Sequence, residues 1–385
     1  MTRIGVGIIG CGNISTSYLT QAPRFAALDI RAVADINMEA ARTRAAEYPG
    51  IRALTVDELL AADDISLVLN LTIPSAHFAV TKRILQAGKH AYSEKPAVLT
   101  LDEGNELLAL SAATGLRVGS APDTWMGGSH QAVRAALDAG RVGQITAGTA
   151  CFLSPGMEGW HPNPDFFFLP GGGPMLDMGP YYVANLVQLL GPVRRVAALA
   201  NKGRDTRVIA SEPRRGQEIP VRTPTNIQAL LEFRSGATIT LMTSWDVFAS
   251  KQTNMQLYGT EGALFVPDPN FFGDQPEIAG RDGVITALPV GNHPFAGTNR
   301  TLRNGREVAD YRTAGLADMA AAIVGNRPHR CSLEFALHVV EVLNATLTSG
   351  EEGRFIQMTT TCDRPAALPP EAAEALLGHA AVAAE

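Results

Sequence analysis

Gly10-x-Gly12-x-x-Ser15 follows directly on the apolar run Ile4–Ile9, and Asp35 closes a second apolar run, Ile30–Ala34, 23 positions after Gly12. A strand, a glycine turn, a helix start and an acid in that order can hold a dinucleotide. Backbone N–H groups at the helix start cradle the pyrophosphate, and the carboxylate accepts hydrogen bonds from a ribose. Gly10 permits the tight turn, and Gly12 keeps a Cβ out of the phosphate's way. Asn13 and Ile14 open the helix against the same phosphates, while Ser15 takes the third glycine position, which serves helix–strand packing. A carboxylate at Asp35 would repel a 2′-phosphate, and Ile36-Asn37-Met38 bring no cation to hold one. NAD is therefore expected in preference to NADP.

Two further stretches carry groups able to move protons. Glu94-Lys95-Pro96 stands immediately after the fifth apolar strand, and ligands of doubly wound sheets lie outside the carboxyl ends of the strands, so Lys95 falls beside the nicotinamide half. Thr72, Pro74 and His77 follow the fourth strand and are expected on the same side of the cofactor. In Gly171-Gly-Gly-Pro-Met-Leu-Asp177-Met-Gly-Pro-Tyr181-Tyr182, Asp177 and Tyr181 are four residues apart, the spacing that stacks two side chains on one helix face. Trp160-His161 precede this cluster, and Asp123 and Trp125 open the second half of the chain. All four are candidates to line a substrate cleft, Trp by its flat apolar face and His161 by a hydrogen bond to a hydroxyl. His338, on the apolar side of its helix, reads as a core histidine. Cys11 reads as a small filler of the glycine turn.

The elements that must position these groups alternate in the first third of the chain, strand with helix, as in a parallel sheet covered on both faces. Ser66–Thr72, Lys89–Ser93 and Leu116–Ser120 are the later strands. Ser75 is placed to cap a helix stopped by Gly88, and Thr100-Leu-Asp-Glu103 is a capping box for one that ends near Gly115. A first domain over 1–122 and a second over 123–385 follow. In the second, a helix over 129–140 leads to a strand at Ile145–Phe152 and an irregular Pro/Gly/aromatic segment at 154–174. Strands are expected at Arg195–Asn201, Thr225–Phe233, Ala237–Ser244 and Asn254–Tyr258, loop over 267–312, a helix over 332–348 and a terminal helix after Pro369-Pro370.

With 385 residues, 46% hydrophobic, 18% charged and a net charge of −6, the chain has the composition of a compact two-domain protein. No Lys/Arg cluster invites nucleic acid or an anionic membrane. Neither a secretory start nor a run of ~20 apolar residues is seen, so a cytoplasmic protein is expected. Four scattered cysteines suggest neither a disulfide framework nor a metal site.

Glu-Lys-Pro after the fifth strand together with Gly-Gly-Gly-x-x-x-Asp-x-Gly-x-Tyr in the second half resembles the Gfo/Idh/MocA family of oxidoreductases, over nearly the whole chain. The resemblance implies an α/β architecture, an N-terminal doubly wound Rossmann domain followed by a C-terminal α+β domain with a large, mostly antiparallel, open-faced sheet. It implies hydride transfer between a nicotinamide cofactor and a carbinol or ketone carbon of a sugar, glycoside or cyclitol, without a metal. Residue by residue, the family's lysine falls on Lys95 and its aspartate on Asp177. Its usual acid/base histidine falls on Tyr181, a departure known from some branches. A second departure is Ala184, where many members carry an acid; Asn185 is the neighbour able to cover part of that role. The Lys95–Pro96 bond is expected cis, as in the family.

Taking hydride from a carbinol carbon requires a base within hydrogen-bond reach of the hydroxyl. A phenol is a weak base at its ordinary pKa of about 10, but a neighbouring ammonium favours the phenolate. On this reading Lys95 supplies that ammonium and stabilises charge on the substrate oxygen, and Asp177 orients Lys95 or Tyr181 or takes part in a relay. Two other readings stay open: a catalytically silent NAD-binding regulator, and an aldehyde or imine reductase on the same scaffold. A second-domain sheet with few helices also leaves a face for another copy, so a homodimer or homotetramer is expected.

Overall fold

The computed structural model describes residues 2–302 and 305–378. Along the chain come β1 (Ile4–Ile9), α1 (Asn13–Gln21), β2 (Leu28–Ala34), α2 (Met38–Ala46), β3 (Arg52–Leu54), α3 (Val56–Ala61), β4 (Leu67–Asn70), α4 (Pro74–Gln86), β5 (His90–Ser93), α5 (Leu101–Thr114) and β6 (Val118–Ser120). These six strands form one parallel sheet in the order β3-β2-β1-β4-β5-β6. The order reverses between β1 and β4. In such sheets the crevice at the carboxyl ends of the strands flanking that reversal is where ligands bind. Val68, Ala91, Ile84, Leu107 and Val118 form part of the core beneath.

The capping box at Thr100 and Glu103 is present in α5, which ends at Gly115 in the left-handed conformation. The cap expected of Ser75 is not. Pro74 takes the first turn of α4 and Ile73 the cap position, with no side-chain cap bond. Proline's fixed φ and missing N–H suit the first helical position, and that preference sets the boundary here.

The chain continues with α6 (Gly128–Asp138), β7 (Ile145–Leu153), α7 (Pro174–Asp177), α8 (Gly179–Leu190), β8 (Val193–Asn201), β9 (Thr206–Val208), β10 (Glu218–Pro220), β11 (Asn226–Phe233), β12 (Thr238–Ser244), β13 (Met255–Gly259), β14 (Ala263–Val266), β15 (Glu277–Ala279) and β16 (Ile285–Ala287). Then come β17 (Arg300–Thr301), β18 (Glu307–Val308), α9 (Ala314–Val324), α10 (Leu333–Glu352), β19 (Ile356–Gln357) and α11 (Pro370–Glu374). A nine-stranded mixed sheet runs β16-β15-β14-β13-β7-β12-β11-β8-β19, antiparallel except for the β7–β12 pair. The stretch 267–312, expected to be loop, thus holds four short strands. Ile285–Ala287 is exposed throughout, so no apolar alternation announced it. Of the expected terminal helix, α11 is present, and residues 379–385 lie outside the described residues.

The chain divides into two compact units: 1–128 with 292–340 and 365–385, and 129–291 with 341–364. In this division 292–340 and 365–385 group with the first 128 residues. Leu333, Leu337 and Val340 of α10 bury themselves in the core of the parallel-sheet unit, which returns that stretch of chain to the first unit. In the second unit β11 alternates strictly, Ile227, Ala229, Leu231 and Phe233 buried and Gln228 and Leu230 exposed, so one face of its sheet is covered and the other open. No described helix is long and apolar enough to cross a membrane.

Candidate functional site

Four strand ends carry the candidate residues of the first unit. After β1, Gly10 adopts φ +107°, and a Cβ there would fall 2.5 Å from the Leu71 carbonyl oxygen, so only glycine fits. Gly12 is the opposite case: a Cβ would meet nothing of the protein within 4 Å, which leaves its outer side open for a ligand. It occupies the N-cap of α1 with no side-chain cap, and Asn13 beside it is exposed, with Ile14 half-buried. The helix start is thus presented as an anion site. Ser15 is buried and its hydroxyl donates to the Gly12 carbonyl at 2.7 Å, a packing role as expected.

After β2, Asp35 accepts the Cys11 N–H on Oδ2 at 2.8 Å and the Asn37 N–H on Oδ1 at 2.9 Å. Each oxygen keeps a further lone pair for a ribose hydroxyl, in an orientation the backbone has fixed. The Cys11 thiol is pushed up to about 11, by burial first and then by the Asp35 charge, with Arg44 opposing. It is a neutral filler, as its place in the turn suggested. Arg44 is a residue the sequence did not single out: from α2 its Nη2 lies 3.5 Å from both the Cys11 and Gly12 carbonyl oxygens, while Nη1 pairs with Glu47. Ile36 is 100% exposed and Ile73, past β4, is 67% exposed. Two bare aliphatic side chains at this rim suit the faces of a base.

After β4 and β5, the groups hold one another. Thr72 donates its hydroxyl to Asn70 Oδ1, and Pro74 is exposed in the first turn of α4. His77, expected to touch the cofactor, is buried with Nδ1 2.6 Å from the Pro96 carbonyl and Nε2 3.0 Å from that of Thr72. Both ring nitrogens face backbone, so His77 is a strut rather than a ligand contact. Glu94 accepts the Tyr18 hydroxyl on Oε1 at 2.9 Å and the Lys95 N–H on Oε2 at 2.9 Å. Tyr18 was missed because a tyrosine on the buried side of a helix reads as packing. Lys95 is half-buried, and its bond to Pro96 is cis, as expected.

Asp123 and Trp125, expected in a substrate cleft, lie in the interior of the same unit. Asp123 Oδ2 accepts the N–H groups of Thr313 and Gly315 at 3.1 and 2.8 Å, capping the start of α9, and burial raises its pKa to about 6. Trp125 is 1% exposed and packs 5.6 Å from the Phe335 ring. Both are corrected to structural roles, because a polar or aromatic residue past a strand end looks alike in sequence whether it faces in or out.

The second unit carries the other candidates. Asp177 and Tyr181 do not share one unbroken helix. Asp177 ends α7, Tyr181 belongs to α8, and the two meet at Met178. Pro180, lacking an N–H, cannot continue the ladder and starts the new helix instead. Tyr181 is nevertheless distinctive, since every other residue of α8 is buried and it is only half-buried. Its neighbour Tyr182 is fully buried, its oxygen accepting from Asn254 Nδ2 at 2.9 Å, and burial holds its phenol well above the ordinary range. Ala184 is buried too, and Asn185 donates to Met255 Sδ and accepts from Gln188 within the core, beside His130. Asn185 therefore cannot stand in for an acid at a site. His338 is buried, the core histidine expected.

Trp160 is 54% exposed, with the His161 ring 5.4 Å away, and Phe166, 57% exposed, lies 5.6 Å from His161. His161 Nδ1 accepts the Asn163 N–H at 3.1 Å, so the neutral ring carries its proton on Nε2. The segment is pinned. Buried Arg207 of β9 donates to the Pro155 carbonyl and Glu158 through Nη1 and to the Trp245 carbonyl and Asp246 through Nη2, and Arg214 pairs with Asp165. Gly173 N–H donates to the Phe167 carbonyl at 2.8 Å and Asp177 N–H to that of Gly173 at 3.1 Å, which joins the aromatic segment directly to α7.

Strand order, glycine turn and acid define the first unit as a dinucleotide-binding fold. Residues 4–121 match the family model described as an oxidoreductase family with an NAD-binding Rossmann fold, and 130–265 match the GFO/IDH/MocA C-terminal domain. The chain belongs to the GFO/IDH/MocA family of oxidoreductases. It is 25% identical over 329 residues to the 1,5-anhydro-D-fructose reductase of Ensifer adhaerens, which covers 83% of this chain and 88% of that protein. Levoglucosan dehydrogenase in complex with NADH and L-sorbose superposes with a TM-score of 0.78 at 18% identity, covering 94% of this chain and 100% of that one. A Desulfitobacterium hafniense protein named as an NADPH-dependent oxidoreductase gives 0.75 at 22%, covering 93% and 98%. At those identities the two structures speak for the fold alone.

Proposed function

We propose that the protein transfers hydride between NAD and a carbinol or ketone carbon of a sugar, glycoside or cyclitol, with Lys95, Asp177 and Tyr181 handling the proton. The observation that carries it is the alignment of Asp35, Gly12 and Lys95 along one carboxyl edge of the parallel sheet, at the ends of β2, β1 and β5. From β2 to β5 is three strand spacings, about 14 Å, room for an extended dinucleotide with its adenosine at Asp35. Gly12, Asn13 and Ile14 would hold the pyrophosphate, Asp35 the ribose, and Ile36 and Ile73 the faces of the base. Thr72, Pro74, Glu94 and Lys95 border the nicotinamide half, which supplies the hydride acceptor when bound. On this reading Tyr181 takes the hydroxyl proton, Lys95 holds the charge on the substrate oxygen, and Asp177 orients one of the two or takes part in a relay. Trp160 and His161 offer the sugar an apolar face and a donor. The sequence relative named for 1,5-anhydro-D-fructose supports a carbohydrate substrate.

NAD is favoured because Asp35 carries its charge where a 2′-phosphate would sit, and Arg44 is committed to loop carbonyls and Glu47. The test follows absorbance at 340 nm over a panel of hexoses, anhydrosugars, glycosides and inositols with each cofactor. Turnover of at least one polyol with NAD, and weaker binding of NADP, is expected. No turnover with any of them, or tighter binding of NADP, contradicts the reading.

We also propose that a second copy covers the open sheet face, where Leu199 and Leu230 lie exposed on adjacent strands and Phe355 stands beside Arg195. Light scattering at micromolar concentration is expected to give a dimer or tetramer, and Leu230→Lys to shift it toward monomer. A monomeric parent protein rejects it.

A further inference from the structure

The turn that carries Lys95 is gripped from two helices. On one side the Tyr18 hydroxyl, from α1, donates to Glu94 Oε1 at 2.9 Å while Glu94 Oε2 takes the Lys95 N–H, so the carboxylate ties α1 to the lysine's own backbone. On the other side His77, from α4, sits between the carbonyl of Pro96 and that of Thr72. Tyr18 and His77 are each about 1% exposed, and neither presents a polar atom to solvent at the strand edge. Burying a phenol and an imidazole is costly unless their polar atoms are bonded. Here the bonds go to the residue before Lys95 and the residue after it.

We propose that Tyr18 and His77 are positioning residues, a two-sided clamp that fixes the Glu94-Lys95-Pro96 turn and through it the Lys95 ammonium. The proposal rests on the reading of Lys95 as a proton-handling group. Tyr18 lies in the second turn of α1, the helix whose first turn would face the pyrophosphate, so one rigid element would set both the phosphate site and the lysine. A misplacement of about 1 Å in such a group costs roughly 100-fold in rate, and a flexible four-carbon lysine stem does not fix itself.

Tyr18→Phe removes one oxygen and keeps the buried ring. His77→Leu removes both polar contacts, and His77→Gln restores a donor. The measurements are NAD affinity by fluorescence titration, kcat and KM on the best panel substrate, and the ¹³C resonances of the reductively methylated protein. The chain has only five lysines, and the Lys95 signal is assigned by its absence in Lys95→Met. The clamp predicts NAD affinity within about threefold of the parent, kcat lowered about 10- to 100-fold, and a Lys95 signal moved toward that of a free lysine side chain. His77→Gln should recover part of what His77→Leu loses.

Parent-like kcat and an unmoved Lys95 signal in Tyr18→Phe would overturn the clamp, and Tyr18→Phe decides alone if His77→Leu does not fold. If Lys95→Met turns over at the parent rate while the signal still moves in Tyr18→Phe, the reading of Lys95 has failed and the clamp stands.

Discussion

Replacing Lys95 by methionine is expected to lower kcat by about 10²–10⁴-fold, and Tyr181→Phe to do the same, the range that loss of a positioned proton-transfer group produces. Methionine keeps the length and apolar stem of the lysine, and phenylalanine keeps the ring, so neither change should disturb folding. The double variant should fall little below the worse single one, because groups that serve one step are not additive. NAD affinity should survive Tyr181→Phe, since Gly12 and Asp35 belong to the other unit. Tyr182→Phe is the control: it removes the acceptor of Asn254, a buried hydrogen bond worth about 0.5–1.5 kcal/mol, and should lower stability while leaving turnover intact. Stopped-flow hydride transfer with the panel's best substrate reads all four. If Tyr181→Phe runs at the parent rate and the loss appears instead in His161→Ala, the proton acceptor is His161.

What the amino-acid order disclosed about this site follows the range of the forces involved. Gly10, Gly12 and Asp35 are legible because a turn, a cap and a strand end are local, and their geometry is set within a few residues. The Thr100–Glu103 capping box is legible for the same reason, and Ser75 failed only because Pro74 made the stronger local claim on the helix start. The break at Met178 was also local: Pro180 was in view, and the i, i+4 argument for Asp177 and Tyr181 ignored the N–H it lacks. By contrast, nothing near Asp123 says that its carboxylate will cap the helix beginning at Ala314, where the N–H of Gly315 that it accepts lies 192 positions on. Trp125, His77 and Asn185 were misread in the same way. Each has the chemistry of a site residue and a partner supplied by tertiary packing. Tyr18 and Arg44 were passed over because their neighbours in sequence carry no sign of Glu94 or of the glycine turn.

The largest stability effect is expected at Arg207. Its side chain is 1% exposed, its two terminal nitrogens each bond one carboxylate and one backbone carbonyl, and its guanidinium lies 5.3 Å from the centre of the Phe168 ring. Arg207→Met would leave Glu158 and Asp246, 14% and 19% exposed, without their counter-charge in a poorly hydrated place. Removing one partner of a buried pair costs about 3–5 kcal/mol, because the charge left behind is uncompensated. Differential scanning calorimetry should show the second unit's transition lowered by roughly 10 °C. Arg214→Met is the comparison. Its pair with Asp165 is 27% and 39% exposed, and a solvated pair of that kind is worth about 0–1 kcal/mol. Adding Glu158→Gln and Asp246→Asn to Arg207→Met should recover part of the loss, since no carboxylate is then stranded. Because Arg207 braces the segment that presents Trp160 and His161, the single variant should also raise KM for the sugar while NAD affinity stays at the parent value. A transition lowered no further by Arg207→Met than by Arg214→Met would mean that the buried carboxylates find water or other donors, and that the segment does not depend on this arginine for its shape.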